Sequence, residues 1–337
     1  MTLFFTSPIG FGHATRDIAI AKYLSDIEFV SSPTNSLFIA KSKFKVHPLL
    51  GNIEFDVANG ELQNSFLWIL KYLYYYYTYK KRLSRLISKY TNLIVSDEEF
   101  VSLSSGIENN KKCILITDIL GTNFTTGPSS LIEKYLNRSM KRMIIQSDCV
   151  IIPNFGNDYG NFKFVGPIVR SVSQSRDMIR NRLGLERRTL LVSPGGSNAG
   201  SFLIEKVLES FARIRSKLDL DLIIARTWPK NIANVNNQHV RHIGTVENLH
   251  EYIFASDIVV SLAGKSTIDE CLAYGTPGIF IPIRNHFEQE QNAKNQGYKF
   301  EDIYDLDTLI EINLSFTPKP ISNNGAQKAA DIIRTYC

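Results

Sequence analysis

At 337 residues, 44% of them apolar, the chain is globular and too long for most single cores, so two domains of ordinary size are expected. No apolar run reaches the roughly 18–20 residues of a bilayer-spanning helix, and MTLFFTSPIG lacks the basic flank of a signal peptide, reading instead as a first strand. A net charge of +5 is too mild to argue for nucleic acid, and Cys113, Cys149, Cys271 and Cys337 have neither metal nor disulfide spacing, which suits reduced thiols in a cytoplasm.

Leu3-Phe4-Phe5 reads as a short buried strand running into SPIGFGHATRDIAIAKYL, where Ile18, Ala19, Ala21 and Leu24 supply the apolar face of a helix. The loop Pro8–His13 thus joins a strand's C-terminal end to a helix N-terminus, the ordinary ligand position of an open α/β sheet. Gly10 and Gly12 allow close approach, and His13 and Arg16 project from the helix start. The pattern G-x-G-H-x-x-R is not the G-x-G-x-x-G of a dinucleotide site. A merely capping His13 is the competing reading.

Strands are expected near Ile27–Ser31, Ser36–Ala40 and Phe44–Pro48, followed by an irregular stretch. Asn64–Tyr90 then holds nine aromatics, six Lys or Arg and no acid, enough for one or two helices with Trp68, Tyr72, Tyr75 and Tyr79 near one face. Such a segment suits the headgroup level of an anionic membrane. It equally suits a partly buried helix with a basic solvent face. Asn92–Ser96 is a buried strand with Asp97-Glu98-Glu99 at its C-terminal end, facing the same crevice as His13 in a parallel sheet. Asp97 is the acid best placed to fix the His13 tautomer and stabilise an imidazolium; a solvated acidic loop is the alternative. Lys112–Thr117 repeats the pattern with Asp118, before a polar loop, GTNFTTGPSS, suited to an acceptor. Met143–Pro153 is the last strand region of this domain.

The domain boundary is expected near Asn154–Pro167, with FKFVGPIVR opening the second domain. There Thr189–Val192 leads into SPGGSNAGSF, a glycine loop on a helix N-terminus, where Gly195, Gly196, Ser197 and Asn198 offer amides and a hydroxyl to a diphosphate; a simple helix cap is the alternative. Strands at Asp221–Ala225 and His239–Ile243 follow, the second leading to the Gly244–Leu249 loop. Asp257–Leu262 reads as a strand, Ala263-Gly264 as a tight turn, and a helix starts near Ser266-Thr267 and ends at Gly275-Thr276-Pro277. Unpaired amides and a positive dipole end gather at that helix start. A second strand, Gly278–Ile283, delivers a loop presenting His286, Glu288, Gln289 and Asn292, side chains suited to hydroxyls. A diphosphate beside a polyol is a nucleotide-sugar.

AGKSTIDECLAYGTPGIFIP followed by HFEQEQNA resembles the donor half of GT-B glycosyltransferases, most closely the MurG-type and UDP-glycosyltransferase group. G-x-G-H-x-x-R resembles that group's N-terminal loop, where the His is the candidate general base. The resemblance implies two doubly wound Rossmann-like α/β domains facing each other across a cleft, over 1–160 and 161–320, with a terminal helix, 321–337, packed back on the first. It implies an inverting, metal-independent transferase that needs no cofactor beyond its co-substrate. The hexose or N-acetylhexosamine would come from a nucleoside-diphosphate sugar, a UDP-sugar in this group, and go to a hydroxyl.

In that reading His13 is the base and Asp97 its partner, with Gly10, Gly12, Arg16 and Asp118 on the acceptor side. The diphosphate rests on Gly195–Asn198 and on Gly264, Lys265, Ser266 and Thr267, and Glu270 takes the ribose hydroxyls. Thr245 and Val246 lie beside the donor's nucleobase, and Glu288 and Gln289 hold the sugar with His286 nearby. Lys265 stands where the group has a small residue, and Glu288 where many members have Asp. The acceptor is expected to be polyprenyl- or otherwise lipid-linked. The expected location is the cytoplasm, with peripheral contact through 64–90 at the inner membrane face, and no nucleic acid is expected. Two rivals stand beside it: a UDP-N-acetylglucosamine 2-epimerase-like enzyme, which would use extra carboxylates such as Asp97-Glu98-Glu99, and a non-catalytic nucleotide-sugar-binding subunit.

Overall fold

The computed structural model describes residues 2–90, 92–195, 198–226, 238–322 and 324–337. Contacts divide the chain into two units: Met1–Glu54 with Asn64–Arg170 and Ser322–Cys337, and Phe55–Gln63 with Ser171–Ile321. Through residue 170 the elements are β1 (Thr2–Thr6), α1 (Gly12–Ala21), β2 (Ile27–Ser31), α2 (Pro33–Lys41), β3 (Val46–Pro48), β4 (Val57–Ala58), β5 (Glu61–Leu62), α3 (Ser65–Tyr90), β6 (Leu93–Asp97), α4 (Phe100–Glu108), β7 (Lys112–Ile116), α5 (Ser130–Gln146), β8 (Cys149–Ile152) and β9 (Phe162–Phe164). Then come α6 (Arg176–Leu183), β10 (Arg188–Ser193), α7 (Ser201–Leu218), β11 (Leu220–Ile224), β12 (Val240–His242), α8 (Leu249–Ala255), β13 (Ile258–Leu262), α9 (Lys265–Tyr274), β14 (Gly278–Ile281), α10 (Phe287–Asn295), α11 (Leu306–Asn313) and α12 (Gly325–Arg334).

The first unit is built on a parallel seven-stranded sheet in the order β3-β2-β1-β6-β7-β8-β9. Its strands are apolar on both faces, as a sheet covered by helices on each side requires. Phe4, Val95 and Ile114 feed one core layer; Leu3, Phe5, Ile94 and Leu115 feed the other. The strand order reverses between β1 and β6, and the crevice at such a switch point is where open α/β sheets hold ligands. α12 closes one layer by laying Ala326, Ala329, Ala330 and Ile333 against the α1 side. Its first residue must be glycine, since a Cβ at Gly325 would sit 2.3 Å from the Pro167 carbonyl oxygen.

The second unit repeats the design with five parallel strands, β12-β11-β10-β13-β14, and a switch point between β10 and β13. Leu190, Val192, Ile258 and Val260 face one layer, and Leu191, Val259 and Phe280 the other. Cys113, Cys149 and Cys271 are buried free thiols.

Three expectations are corrected. Ser36–Ala40 is helical, within α2, because Pro33 occupies the first turn and the Ser32 side chain caps it by accepting from Asn35 N at 3.4 Å. Phe162–Phe164 does not open the second domain: it is β9, paired in parallel with β8, so the first unit runs on to Arg170. The stretch after β3 is not irregular throughout. Residues 57–62 form a hairpin, β4 and β5, around Asn59 (φ 50°) and Gly60 (φ 75°), the left-handed pair of a type I′ turn, and it belongs to the second unit.

The aromatic-basic segment is one 26-residue helix. Trp68, Tyr72, Tyr75 and Tyr79 line its inner face, with successive ring centroids 5.6, 6.0 and 4.8 Å apart. Tyr75 donates to Glu99 Oε1 at 3.1 Å and Tyr76 to Ser104 Oγ at 2.7 Å, so the polar tips of these rings are used inside the unit. The outer face keeps Phe66, Leu67, Leu70, Tyr74 and Tyr77 exposed. No helix among the described residues is long and apolar enough to cross a membrane.

Candidate active site

Two clusters sit at the two switch points, one in each unit. In the first, β1 ends at Thr6, whose register partner is Asp97, the last residue of β6, and Ser7 N donates to Asp97 O at 3.0 Å. The chain turns through Gly10 (φ 67°), where a Cβ would meet nothing within 4 Å, so the loop is open to a ligand. α1 then starts at Gly12, and its N-cap residue, Phe11, makes no side-chain cap. His13 and Arg16 stand one turn apart on this helix and both reach Asp97.

His13 Nδ1 lies 3.2 Å from Asp97 Oδ1. Arg16 Nε donates to Asp97 Oδ2 at 3.0 Å while Nη2 donates to Oδ1, a two-pronged grip. Burial alone would raise the Asp97 pKa, but the Arg16 guanidinium and then His13 reverse this and hold it well below the carboxylate range. An ionised Asp97 keeps the His13 proton on Nδ1 and the lone pair on Nε2. Burial disfavours charging the His13 ring, yet Asp97 and Glu98 outweigh it and raise its pKa. Buried Asp17 accepts from Thr6 Oγ1 at 2.6 Å, and burial and the adjoining Asp97 charge push its pKa well up.

Glu98 is the part of this site that sequence reading left outside the base's chemistry. It occupies the left-handed region at φ 49°, uncommon for a non-glycine residue. Its side chain turns back so that Oε2 is 3.8 Å from His13 Nε2, and Oε1 accepts from Thr117 Oγ1 at 3.1 Å and Asp118 N at 3.3 Å. Glu99 does different work: it caps α4 by accepting from Ser102 N at 2.6 Å. Asp118 lies 3.6 Å from Arg16 Nη1. Arg16, placed on the acceptor side by the resemblance, is buried and engaged by this carboxylate cluster.

In the second unit, Gly195 follows β10 at φ 78° with open space where a Cβ would be. Gly196 and Ser197 lie outside the described residues, and Asn198 begins a short 3-10 turn leading to α7. Across the switch point, Gly264 caps α9 with no side-chain bond, and its Cβ position is also open. The two glycines follow adjacent strands, β10 and β13, at the sheet's reversal, the position where open α/β sheets hold ligands. Asn292 pins this turn from α10 by donating to Ala263 O at 3.2 Å. Lys265 pairs with Asp269 one turn on, Ser266 and Thr267 are half-buried, and Glu270 is only 5% exposed. Thr245 is exposed and Val246 half-buried in the loop after β12.

The loop after β14 is tightly held. His286 caps α10, its Nδ1 accepting from Gln289 N at 3.5 Å, and burial lowers its pKa to about 4, so the ring is neutral. Gln289 Oε1 accepts from Ile283 N at 3.1 Å, and Glu288 is half-buried beside it. Among the described residues, no group of three or more His, Cys, Asp or Glu side chains is arranged to hold a metal ion.

Residues 189–313 match the glycosyltransferase family 28 C-terminal domain. The chain is 27% identical over 214 residues to an uncharacterized glycosyltransferase of Methanopyrus kandleri, covering 60% of this chain and 60% of that protein. It is 24% identical over 296 residues to the UDP-N-acetylglucosamine–N-acetylmuramyl-(pentapeptide) pyrophosphoryl-undecaprenol N-acetylglucosamine transferase of Histophilus somni, covering 84% of this chain and 78% of that one. The crystal structure of Acinetobacter baumannii MurG superposes with a TM-score of 0.56 at 13% identity, covering 99% of both chains. The match thus spans less than two thirds of the Methanopyrus relative and most of the Histophilus one. Residues 189–313 thus match a glycosyltransferase family 28 C-terminal domain, and the two parallel doubly wound units share the GT-B fold of solved glycosyltransferases such as MurG.

Proposed function

We propose that the chain transfers a hexosyl or N-acetylhexosaminyl group from a nucleoside-diphosphate sugar, a UDP-sugar in first choice, to an acceptor hydroxyl with inversion. The observation that carries the reading is the His13–Asp97 contact of 3.2 Å at the C-terminal ends of β1 and β6. His13 Nε2 takes the acceptor proton while the acceptor oxygen attacks the anomeric carbon from the face opposite the leaving group. The bond from that carbon to the diphosphate oxygen breaks, and the electron pair leaves with the diphosphate. The glycine loop after β10 and the start of α9 receive that charge through amides and dipole, so the reading uses neither metal nor cofactor. Glu270 serves the ribose, and Glu288 and Gln289 serve the sugar hydroxyls.

The acceptor in this reading is lipid-linked, met at a membrane surface by the first unit. Support comes from the exposed apolar residues of α3, accompanied by exposed Lys71, Lys81, Arg82, Arg85 and Lys89, and by Leu131 and Tyr135 on α5. The Histophilus relative, named for an undecaprenol-linked substrate, supports the same class.

A thermal-shift screen of UDP, GDP, TDP and ADP with their sugar conjugates tests the donor half. A ligand at ~100 times its dissociation constant stabilises by about 2.7 kcal/mol, a readable shift. His13→Ala then tests the chemistry: turnover should fall about 10²–10⁴-fold with the donor's shift retained. If no nucleotide shifts the protein the donor reading is wrong; if His13→Ala keeps full turnover, the base is wrong.

A further inference from the structure

We infer that the hairpin segment Phe55–Gln63 is a positioning element of the donor-sugar site, holding the 283–289 loop in the shape that receives the sugar. The inference rests on the donor reading above and adds to it a part of the chain with no assigned role. This nine-residue segment leaves the first unit after Glu54, joins the second, and returns at Asn64. It adds no strand to the main sheet of either unit, and it touches the edges of the two donor loops.

The hairpin is seated by backbone and by shape. Arg284 N donates to Gly60 O and Leu62 N to Arg284 O, each at 2.9 Å, making a parallel bridge between Glu61 and Arg284. Gly60 is buried against Phe202 at the start of α7 and Phe300; a Cβ there would lie 2.8 Å from each ring. Arg284 stacks over the Phe300 ring at 4.3 Å and pairs with Glu301 at 2.6 Å, closing the seat from the other side. β4 lies against residues 198–200, so one hairpin touches both the first glycine loop and the loop after β14.

From this seat two side chains reach the sugar loop. Glu61 Oε1 accepts from Asn285 Nδ2 at 2.8 Å, and Asn285 is held at φ 67° with its N–H on Glu290 Oε1 at 2.9 Å. The Phe55 ring meets the His286 ring edge to face, centroids 4.7 Å apart. His286 in turn caps α10 directly before Glu288 and Gln289. Asn285 holds a left-handed backbone and His286 is buried, and the hairpin contacts both. Phe55 and Glu61 are therefore positioning residues acting through His286 and Asn285.

The test measures equilibrium binding of UDP, UDP-glucose and UDP-N-acetylglucosamine to wild type, Phe55→Ala, Phe55→Tyr, Glu61→Gln and the exposed control Ala58→Ser. The expected result is a sugar-nucleotide affinity about tenfold weaker in Phe55→Ala and Glu61→Gln, about 1.4 kcal/mol, with UDP affinity unchanged. Phe55→Tyr, which keeps the ring, and Ala58→Ser should bind as wild type. Equal weakening of UDP and sugar-nucleotide would mean general loosening and overturn the inference, as would no weakening. A wild type that binds none of the three probes overturns the donor reading first, and this inference with it.

Discussion

Asp97 Oδ1 stands 3.2 Å from His13 Nδ1 while the same carboxylate is gripped by both prongs of Arg16. The acid is thus fixed in place and charge by one neighbour so that it can orient the other. Since Asp97 raises the His13 pKa, the acid limb of the rate profile should lie above the ordinary 6.5 of histidine. Asp97→Asn removes the charge, so that limb should move to lower pH while the plateau rate falls roughly 10²–10⁴-fold. A pH profile of turnover checks both signs. A limb that stays in place would separate Asp97 from the His13 titration.

Glu98 and His286 should tilt stability against pH in opposite directions. Burial first, then Asp118 and Asp97, raise Glu98 from 4.5 to about 8 against the pull of His13 and Arg16. Its folded pKa is raised, so its stabilisation is full below 4.5 and is lost as pH climbs to about 8. Glu98→Gln should flatten that loss, on the order of 1–4 kcal/mol, in urea titrations at pH 5 and pH 8. His13 is raised too and loses stabilisation in the same direction, so the readout is the difference between variant and wild type. An unchanged difference would mean that Glu98 ionises normally.

His286, by contrast, is lowered from 6.5 to about 4 by burial. Its stabilisation is present above 6.5 and lost as pH falls through about 4. His286→Asn keeps a capping side chain and removes the titration, so its urea midpoint should hold steady from pH 6.5 to 4 where wild type declines by about 3 kcal/mol. A parallel decline in both proteins would place the acid sensitivity elsewhere.

Much of this was readable before the coordinates, for physical reasons. Runs such as Ile258–Leu262 and Leu93–Asp97 are apolar on both faces, which only a covered parallel sheet explains, and loops at their C-terminal ends are where such sheets hold ligands. Asp97 was legible as the acid ending its strand, and Arg16 as a residue of the acceptor side. What sequence did not disclose is that Asp97 consumes the guanidinium, because that depends on a contact 81 residues apart. Ser36–Ala40 was misread because its apolar residues outweighed the Ser32-Pro33 helix start, a signal present in the sequence. The hairpin carried a signal as well, Asn59-Gly60. Its attachment to the second unit did not, since register with Arg284 is a long-range fact.

Gly106 gives a test of the first core in which two effects compete. It lies inside α4, where replacing glycine by alanine ordinarily gains about 1 kcal/mol of helix propensity. A Cβ there, however, would sit 2.3 Å from Ile94 Cδ1 and 2.8 Å from the Cys113 sulfur, both in a fully packed layer. Overpacking costs typically 1–3 kcal/mol, so Gly106→Ala should lower the melting temperature. Adding Ile94→Val removes the nearest methyl and should recover part of the loss. A stabilised single variant would mean that the layer between β6 and α4 is looser than its burial indicates.

The outer face of α3 is the place to test the membrane half of the reading. The inner face is committed to packing, through the Trp68–Tyr72–Tyr75–Tyr79 stack and the Tyr75–Glu99 bond, so only the outer residues are free to meet lipid. There Leu67, Leu70 and Tyr74 are exposed, 46%, 42% and 76%, beside the basic positions 81, 82 and 85. Each basic group near an anionic surface contributes about 1 kcal/mol, so replacing Lys81, Arg82 and Arg85 by Gln should weaken vesicle binding on the order of 100-fold. Co-sedimentation with phosphatidylglycerol vesicles at low salt measures it, and raising the salt should mimic the triple variant. Leu67→Ser with Leu70→Ser should weaken binding while leaving its salt dependence intact, because area and charge act separately. Wild-type protein that stays in the supernatant at low salt would remove the membrane from the proposal and leave a freely diffusing acceptor.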